Sequence, residues 1–216
     1  VDHAIDNFPS MDAVLARLDD LVDAPDVKEG EAYALVGERG AGKTTWIDEI
    51  TRRTTSPVVR IPLPDRPSVE QLQEQLRDAT GAPEGCDQEA LIEHLRASEP
   101  RLIVLDGCQN LMLRSVGGTL PYECMMDVVS RTTSQVVWVL SFSHFAWRHL
   151  EARYNGRNLF TEVISLGKWS EEMIRRLIDK RMGRVDYQLT YDELVVDRVE
   201  GTDFDNALVR TKGRFN

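Results

Sequence analysis

Long hydrophobic runs are missing from this chain. No apolar stretch approaches the roughly 20 residues that cross a bilayer, so no transmembrane segment is expected. Cysteine is scarce: Cys86, Cys108 and Cys124 cannot make a complete disulfide framework, and no two stand at metal-ligand spacing. The four histidines, His3, His94, His144 and His149, form no HExxH pair. These absences point to a reduced, intracellular, cytoplasmic protein without structural zinc. Positive charge is also short, with 26 Lys and Arg against 36 Asp and Glu and a net charge of −10. A broad nucleic-acid surface needs clustered cations to displace counterions, so nucleic acid is not favoured as a partner except through a local basic strip. The deficit is uneven, with −11 on residues 1–100 and +1 on residues 101–216. The opening Val1-Asp2-His3 is neither an initiator methionine nor a signal peptide, and the sequence reads as a domain excised from a longer protein.

What is present suits an ordinary globular chain. Its 216 residues are 42% hydrophobic and 29% charged, enough for a sizeable core and too apolar for disorder. There are no internal repeats and no low-complexity tracts. Short apolar strands alternate with amphipathic helices, the pattern of a parallel α/β sheet. Ser10 can cap a helix carrying Met11, Val14, Leu15, Leu18, Leu21 and Val22 at helical spacing. Strands are expected at Ala32–Val36, at Val58–Ile61 before Pro62 and Pro64, at Leu102–Asp106, at Val136–Leu140 and at Phe160–Leu166. The third and fourth are uniformly apolar, as for strands covered on both faces. Helices are expected from Lys43, over Val69–Ala79, over Gln88–Ala97 and over Ser170–Met182, with one more near Tyr191–Val199.

The chemistry lies in Gly37-Glu38-Arg39-Gly40-Ala41-Gly42-Lys43-Thr44, which fits GxxxxGK[ST] between a strand and a helix, followed by Thr45. Its glycines let successive backbone N–H groups turn inward around a phosphate chain, and the helix N-terminus adds its positive end. Lys43 supplies a point charge to the β- and γ-phosphates, and the Thr44 hydroxyl is placed to join the shell of a Mg2+ ion. Asp106, closing a buried strand 63 residues beyond Lys43, is the expected second metal ligand.

Val36–Thr45 together with Leu102–Asp106 resembles the AAA+ and related STAND ATPases, the lineage of origin-recognition, clamp-loading and transposition-regulator proteins. The likeness covers residues 5–182 in element order, with only the two motifs specific. It implies a P-loop NTPase three-layer sandwich around a five-stranded parallel sheet, the P-loop strand central, followed by a small helical lid. On that reading residues 1–169 are the core and residues 170–216 begin a lid or C-terminal extension that is incomplete, Ser170–Met182 being the first lid helix. The implied ligands are ATP or ADP and Mg2+, and the implied partners are other protein subunits or domains of a longer chain.

The sequence departs from the family in one place. A Glu that polarises the attacking water normally follows the metal-binding Asp, and here Gly107 stands there, followed by Cys108, Gln109 and Asn110. Glycine cannot activate water. Gln109 is the candidate to orient it, by analogy with the glutamine of small GTPases, against the alternative of a solvent-exposed loop amide. Ser141 and Ser143 match the family's polar sensor that touches the γ-phosphate, though either could simply cap a helix over Phe145–Ala152. His144 reads as a loop histidine before a general base. Arg148, Arg153 and Arg157 lie where an oligomeric relative carries an arginine finger. Lys168, Arg175, Arg176, Lys180, Arg181 and Arg184 form a basic cluster whose bland reading is a solvated face.

Three functions stay open. The first is an ATPase whose Mg-ATP hydrolysis drives conformational change or assembly of a larger protein. The second is a nucleotide-dependent interaction switch with little hydrolysis, which Gly107 favours. The third is a P-loop small-molecule kinase, for which no arginine-bearing lid stands out. No NKxD-type guanine-reading motif occurs, which argues against a GTPase.

Overall fold

The computed structural model describes residues 12–16, 19–20, 31–112, 118–154, 156–167 and 174. The fold below is that of the unit Asn7–Lys168. Its elements run β1 (Ala32–Gly37), α1 (Lys43–Arg53), β2 (Val58–Pro62), α2 (Val69–Thr80), α3 (Gln88–Arg96), β3 (Arg101–Asp106), α4 (Leu120–Thr132), β4 (Val136–Ser143), α5 (His144–Tyr154) and β5 (Glu162–Leu166). Single 3-10 turns occupy Cys108–Leu111 and Gly156–Leu159. Residues 12–16 and 19–20 are helical, within the stretch where a Ser10-capped helix is expected. The expected helices Ser170–Met182 and Tyr191–Val199 and the basic cluster from Lys168 to Arg184 lie outside the described residues, Ile174 apart.

The five strands form one parallel sheet in the order β2-β3-β4-β1-β5. The P-loop strand β1 is interior, between β4 and β5, one position in from the edge. Parallel strands need crossover segments, and those segments cover both faces of the sheet. Alternation along each strand sorts the core. Ala32, Ala34 and Val36 of β1 join Ile103, Leu105, Trp138 and Leu140 in a cluster beneath α2, α3, α4 and α5. Tyr33 and Leu35 join Leu102, Val104, Val137 and Val139 in a second cluster with Trp46, Ile47 and Ile50 of α1 and with Val14. The result is three layers.

Local chemistry sets the helix ends. Ser68 and Gln71 make a reciprocal capping box at the start of α2, and Asp87 accepts from the Ala90 N–H to start α3. Helix α4 has no counterpart among the expected elements. Its signal is modest: Pro121 in the first turn, then Tyr122, Met125, Met126 and Val129 at helical spacing, all buried. The strands at Ala32–Val36 and Val136–Leu140 continue to Gly37 and Ser143, which carries Ser141 into the sheet itself.

Candidate functional site

The C-terminal ends of β1, β3 and β4 lie side by side, and three segments converge there. The first is the loop between β1 and α1. Gly40 and Gly42 take φ of 83° and 94°, a left-handed backbone that a side chain resists, and this turns the loop into the N-terminus of α1. Gly37 is closely packed: a Cβ there would meet the Ala41 Cβ at 3.1 Å and the Leu166 carbonyl at 3.2 Å, so its neighbours would have to give by a few tenths of an ångström. Glu38, Arg39 and Gly40 are exposed on the outside of the turn, while Ala41, Gly42 and Lys43 are half-buried and Thr44 and Thr45 open α1 on its exposed side. The Lys43 ammonium donates to the carbonyls of Gly37 and Glu38, each at 2.9 Å. Burial lowers the Lys43 pKa from the ordinary lysine value, and the negative charge of Asp106 opposes that shift.

The second segment is the end of β3. Asp106 has both carboxylate oxygens engaged, one by the Thr44 hydroxyl at 3.0 Å and the other by the Ser141 hydroxyl. Gly107 follows with φ of 88°, so the chain leaves the strand in a left-handed turn. The Cys108 thiol is fully buried behind it, and burial and then the Asp106 charge push its pKa well up, leaving it inert as a nucleophile. Gln109 is half-buried and its side-chain oxygen accepts from the Ser143 backbone N–H at 3.2 Å. That pairing orients the amide, because a backbone N–H can only donate. The amide nitrogen of Gln109 therefore faces Gly107, 3.4 Å from where a Cβ on that residue would stand.

The third segment is the end of β4, where the two candidate serines separate. Ser143 accepts from the Ala146 N–H at 3.3 Å and caps α5. Ser141 is fully buried and faces Asp106. His144 is exposed in the first turn of α5. The three arginines have other surroundings. Arg157 pairs with Glu151 at 3.2 Å, Arg153 stacks over the Tyr154 ring at 5.8 Å, and Arg148 is exposed on α5.

Beside Asp106 a cavity of about 660 Å3 lies over the paired C-terminal ends of β2 and β3, with Arg60, Pro62, Val104, Gly107 and Gln109 in its walls. Sequence reasoning missed it, because it depends on which strands are neighbours. Among the described residues no group of three or more His, Cys, Asp or Glu could hold a metal, and no helix is long and apolar enough to cross a membrane. All three cysteines are free thiols.

A glycine-rich loop delivering Lys43 and Thr44 beside the carboxylate of a neighbouring strand, on a five-stranded parallel sheet, defines a P-loop NTPase fold. The model of a family described as an AAA domain matches residues 27–150, more than half of the chain, and the chain belongs to that family. No curated protein matches its sequence. Among solved structures, the Aeropyrum pernix ORC1 protein in complex with DNA is 19% identical with a TM-score of 0.59, over 85% of this chain and 52% of that one. The Aeropyrum pernix ORC2 protein in its ADPNP–ADP complexes is 14% identical with a TM-score of 0.58, over 81% and 51%. Cdc6p from Pyrobaculum aerophilum is 19% identical with a TM-score of 0.54, over 85% and 52%. These likenesses are of fold, and the chain spans about half the length of each structure it matches.

Proposed function

We propose that this AAA+ domain binds ATP with Mg2+ and hydrolyses it to ADP and phosphate, driving conformational change or assembly of a larger, intracellular protein. The observation that carries the reading is the Thr44–Asp106 hydrogen bond of 3.0 Å beside Lys43. It brings a hydroxyl and a carboxylate oxygen to one point, and hard oxygen donors of that kind suit Mg2+. Thr44 and Asp106 are the residues that would hold the ion, which when bound neutralises charge on the β- and γ-phosphates. Residues Gly37–Thr45 would cradle the phosphate chain through their backbone N–H groups. Lys43 would exchange the Gly37 and Glu38 carbonyls for phosphate oxygens, a stronger pairing of opposite charges.

A specific feature favours the second reading, an interaction switch with slow turnover. Gly107 offers no carboxylate, and the Gln109 oxygen already accepts from Ser143. Gln109 is thus better placed to donate through its amide nitrogen than to accept a proton from water. The ADPNP–ADP complexes of the ORC2 relative and the DNA complex of the ORC1 relative make nucleotide the first ligand to test, and nucleic acid or protein subunits the next.

The test is phosphate release from Mg-ATP over a range of protein concentrations, with Lys43→Ala as blank. Release above the blank supports the ATPase. Specific activity rising with concentration would mean sites completed between subunits, and Arg148→Ala, Arg153→Ala and Arg157→Ala would then show which arginine is contributed. ATP bound without release supports the switch. Wild-type and Lys43→Ala proteins with equal nucleotide affinity would end both readings.

A further inference from the structure

Three strands place Ser141, and their register matters. Leu105 of β3 pairs with Leu140 of β4, so Asp106 and Ser141 are the next residues along two adjacent parallel strands. Leu35 of β1 pairs with Ser141 on its other side. Alternation puts Asp106 on the same face as Leu102 and Val104, and Ser141 on the same face as Val137 and Val139. That is the face covered by α1, whose first turn carries Thr44. A slip of one residue in β4 would turn Ser141 to the opposite layer.

At that point Ser141 makes two hydrogen bonds, and together they set its hydroxyl direction. The Gly107 N–H donates to Ser141 Oγ at 2.9 Å, which leaves the hydroxyl hydrogen to be donated to Asp106 Oδ1. Asp106 Oδ2 is the oxygen that meets Thr44. A terminal carboxylate torsion is soft, with a broad two-fold profile. Hydroxyls on both oxygens remove that freedom and fix which oxygen faces the P-loop. The same serine also holds the left-handed turn at Gly107 through its N–H. Ser141 is fully buried, while Asp106 and Gly107 are partly exposed, so the serine reaches the edge of the site from within the sheet.

We propose that Ser141 is a positioning residue, which acts on the metal through Asp106 rather than by touching the γ-phosphate. The proposal rests on the Mg-nucleotide reading above. Partners that orient a ligating carboxylate commonly contribute 10- to 100-fold in metal affinity or activity, on the order of what is expected here. A sensor of the γ-phosphate would instead act whether or not metal is present.

The experiment is a titration of a fluorescent, non-hydrolysable ATP analogue into the wild type, Ser141→Ala and Ser141→Thr, each in Mg2+ and in EDTA. Thermal unfolding is followed on the same samples. In Ser141→Ala the Mg2+-dependent gain in affinity should fall about tenfold, with affinity in EDTA unchanged and the fold intact. Ser141→Thr, which keeps the hydroxyl, should retain the gain. An Ala variant with the full Mg2+ gain overturns the proposal. So does a folded Ala variant that loses affinity equally in Mg2+ and EDTA, since that marks direct phosphate contact or general damage. If Ser141→Ala does not fold, Ser141→Thr decides: a folded Thr variant without the Mg2+ gain overturns the proposal and one with it supports the hydroxyl role. Failure of the underlying reading looks different, because the wild type would then show no Mg2+ gain at all.

Discussion

Thr44 and Asp106, 62 residues apart in the chain, meet through a 3.0 Å hydrogen bond that joins the first turn of α1 to the end of β3. Their contact requires β1 and β3 to lie in one sheet with only β4 between them, as the order β2-β3-β4-β1-β5 provides. It sets a hydroxyl and a carboxylate at one locus, with the Lys43 ammonium held nearby on the loop carbonyls. The predictions below follow from that convergence.

Asp106→Asn keeps the shape and removes the charge. Nucleotide affinity in EDTA should stay within about twofold of wild type, while the Mg2+-dependent part of affinity and turnover falls about tenfold or more, a ligating carboxylate being worth at least what its supporting partners are. Calorimetric titration with and without Mg2+ checks it. Equal losses in the two conditions would place Asp106 in the service of the fold.

Gly107→Glu restores the family's acidic residue in sequence but not in geometry. The backbone there has φ of 88°, and a side chain in that region costs about 1–2 kcal/mol. The expected outcome is a lower denaturation midpoint and no increase in phosphate release. Gly107→Asn, which tolerates the left-handed region better, should lose less stability. Faster hydrolysis by the Glu variant would show that the turn adapts.

Alkaline pH should weaken nucleotide binding earlier than an ordinary lysine would allow. Burial lowers the Lys43 pKa, so the charged form needed for phosphate persists below that lowered value and disappears as pH rises through it. Folding runs the other way. The unfolded chain binds more protons between the lowered and the ordinary value, so the cost of burying the cation fades across that interval as pH rises. Affinity for ADP should therefore drop at a lower pH than titration of an ordinary lysine would give, and Lys43→Met should remove the dependence. A flat wild-type profile would contradict the burial of Lys43.

Thr132→Val tests the layer under α4. The Trp138 indole N–H donates to Thr132 Oγ1 at 3.0 Å, and both side chains are fully buried. Valine has the shape of threonine without the acceptor, so the orphaned N–H should cost about 1–3 kcal/mol in chemical unfolding. Thr132→Ser should recover most of it, and a neutral valine variant would mean the indole finds another partner.

Much of the fold could be read from residues alone. Ala32–Val36 and Leu102–Asp106 announce buried parallel strands because both faces are apolar, and Gly37–Thr44 announces its loop because left-handed turns and close backbone approach demand glycine. Helix α4 was harder to read. Its stripe of Tyr122, Met125, Met126 and Val129 is interrupted by Glu123, Cys124 and Asp127, and its need becomes evident only once β3 and β4 are known to run parallel. The same division holds at the site. Composition and spacing pick out Lys43, Thr44 and Asp106, since phosphate and Mg2+ chemistry calls for those groups on those elements.

Spacing could not tell Ser141 from Ser143, or say which way Gln109 would turn. Those choices belong to register and packing. Residues two apart on a strand share a face, so only the neighbouring strand and helix decide that Ser143 caps α5 while Ser141 meets Asp106. A hydrogen bond to a residue 34 positions away commits the Gln109 oxygen, and nothing local in the sequence encodes it. Residue types and local backbone preferences are properties of the chain in order. Which carboxylate oxygen meets which hydroxyl is a property of strands laid side by side, and only the tertiary structure supplies it.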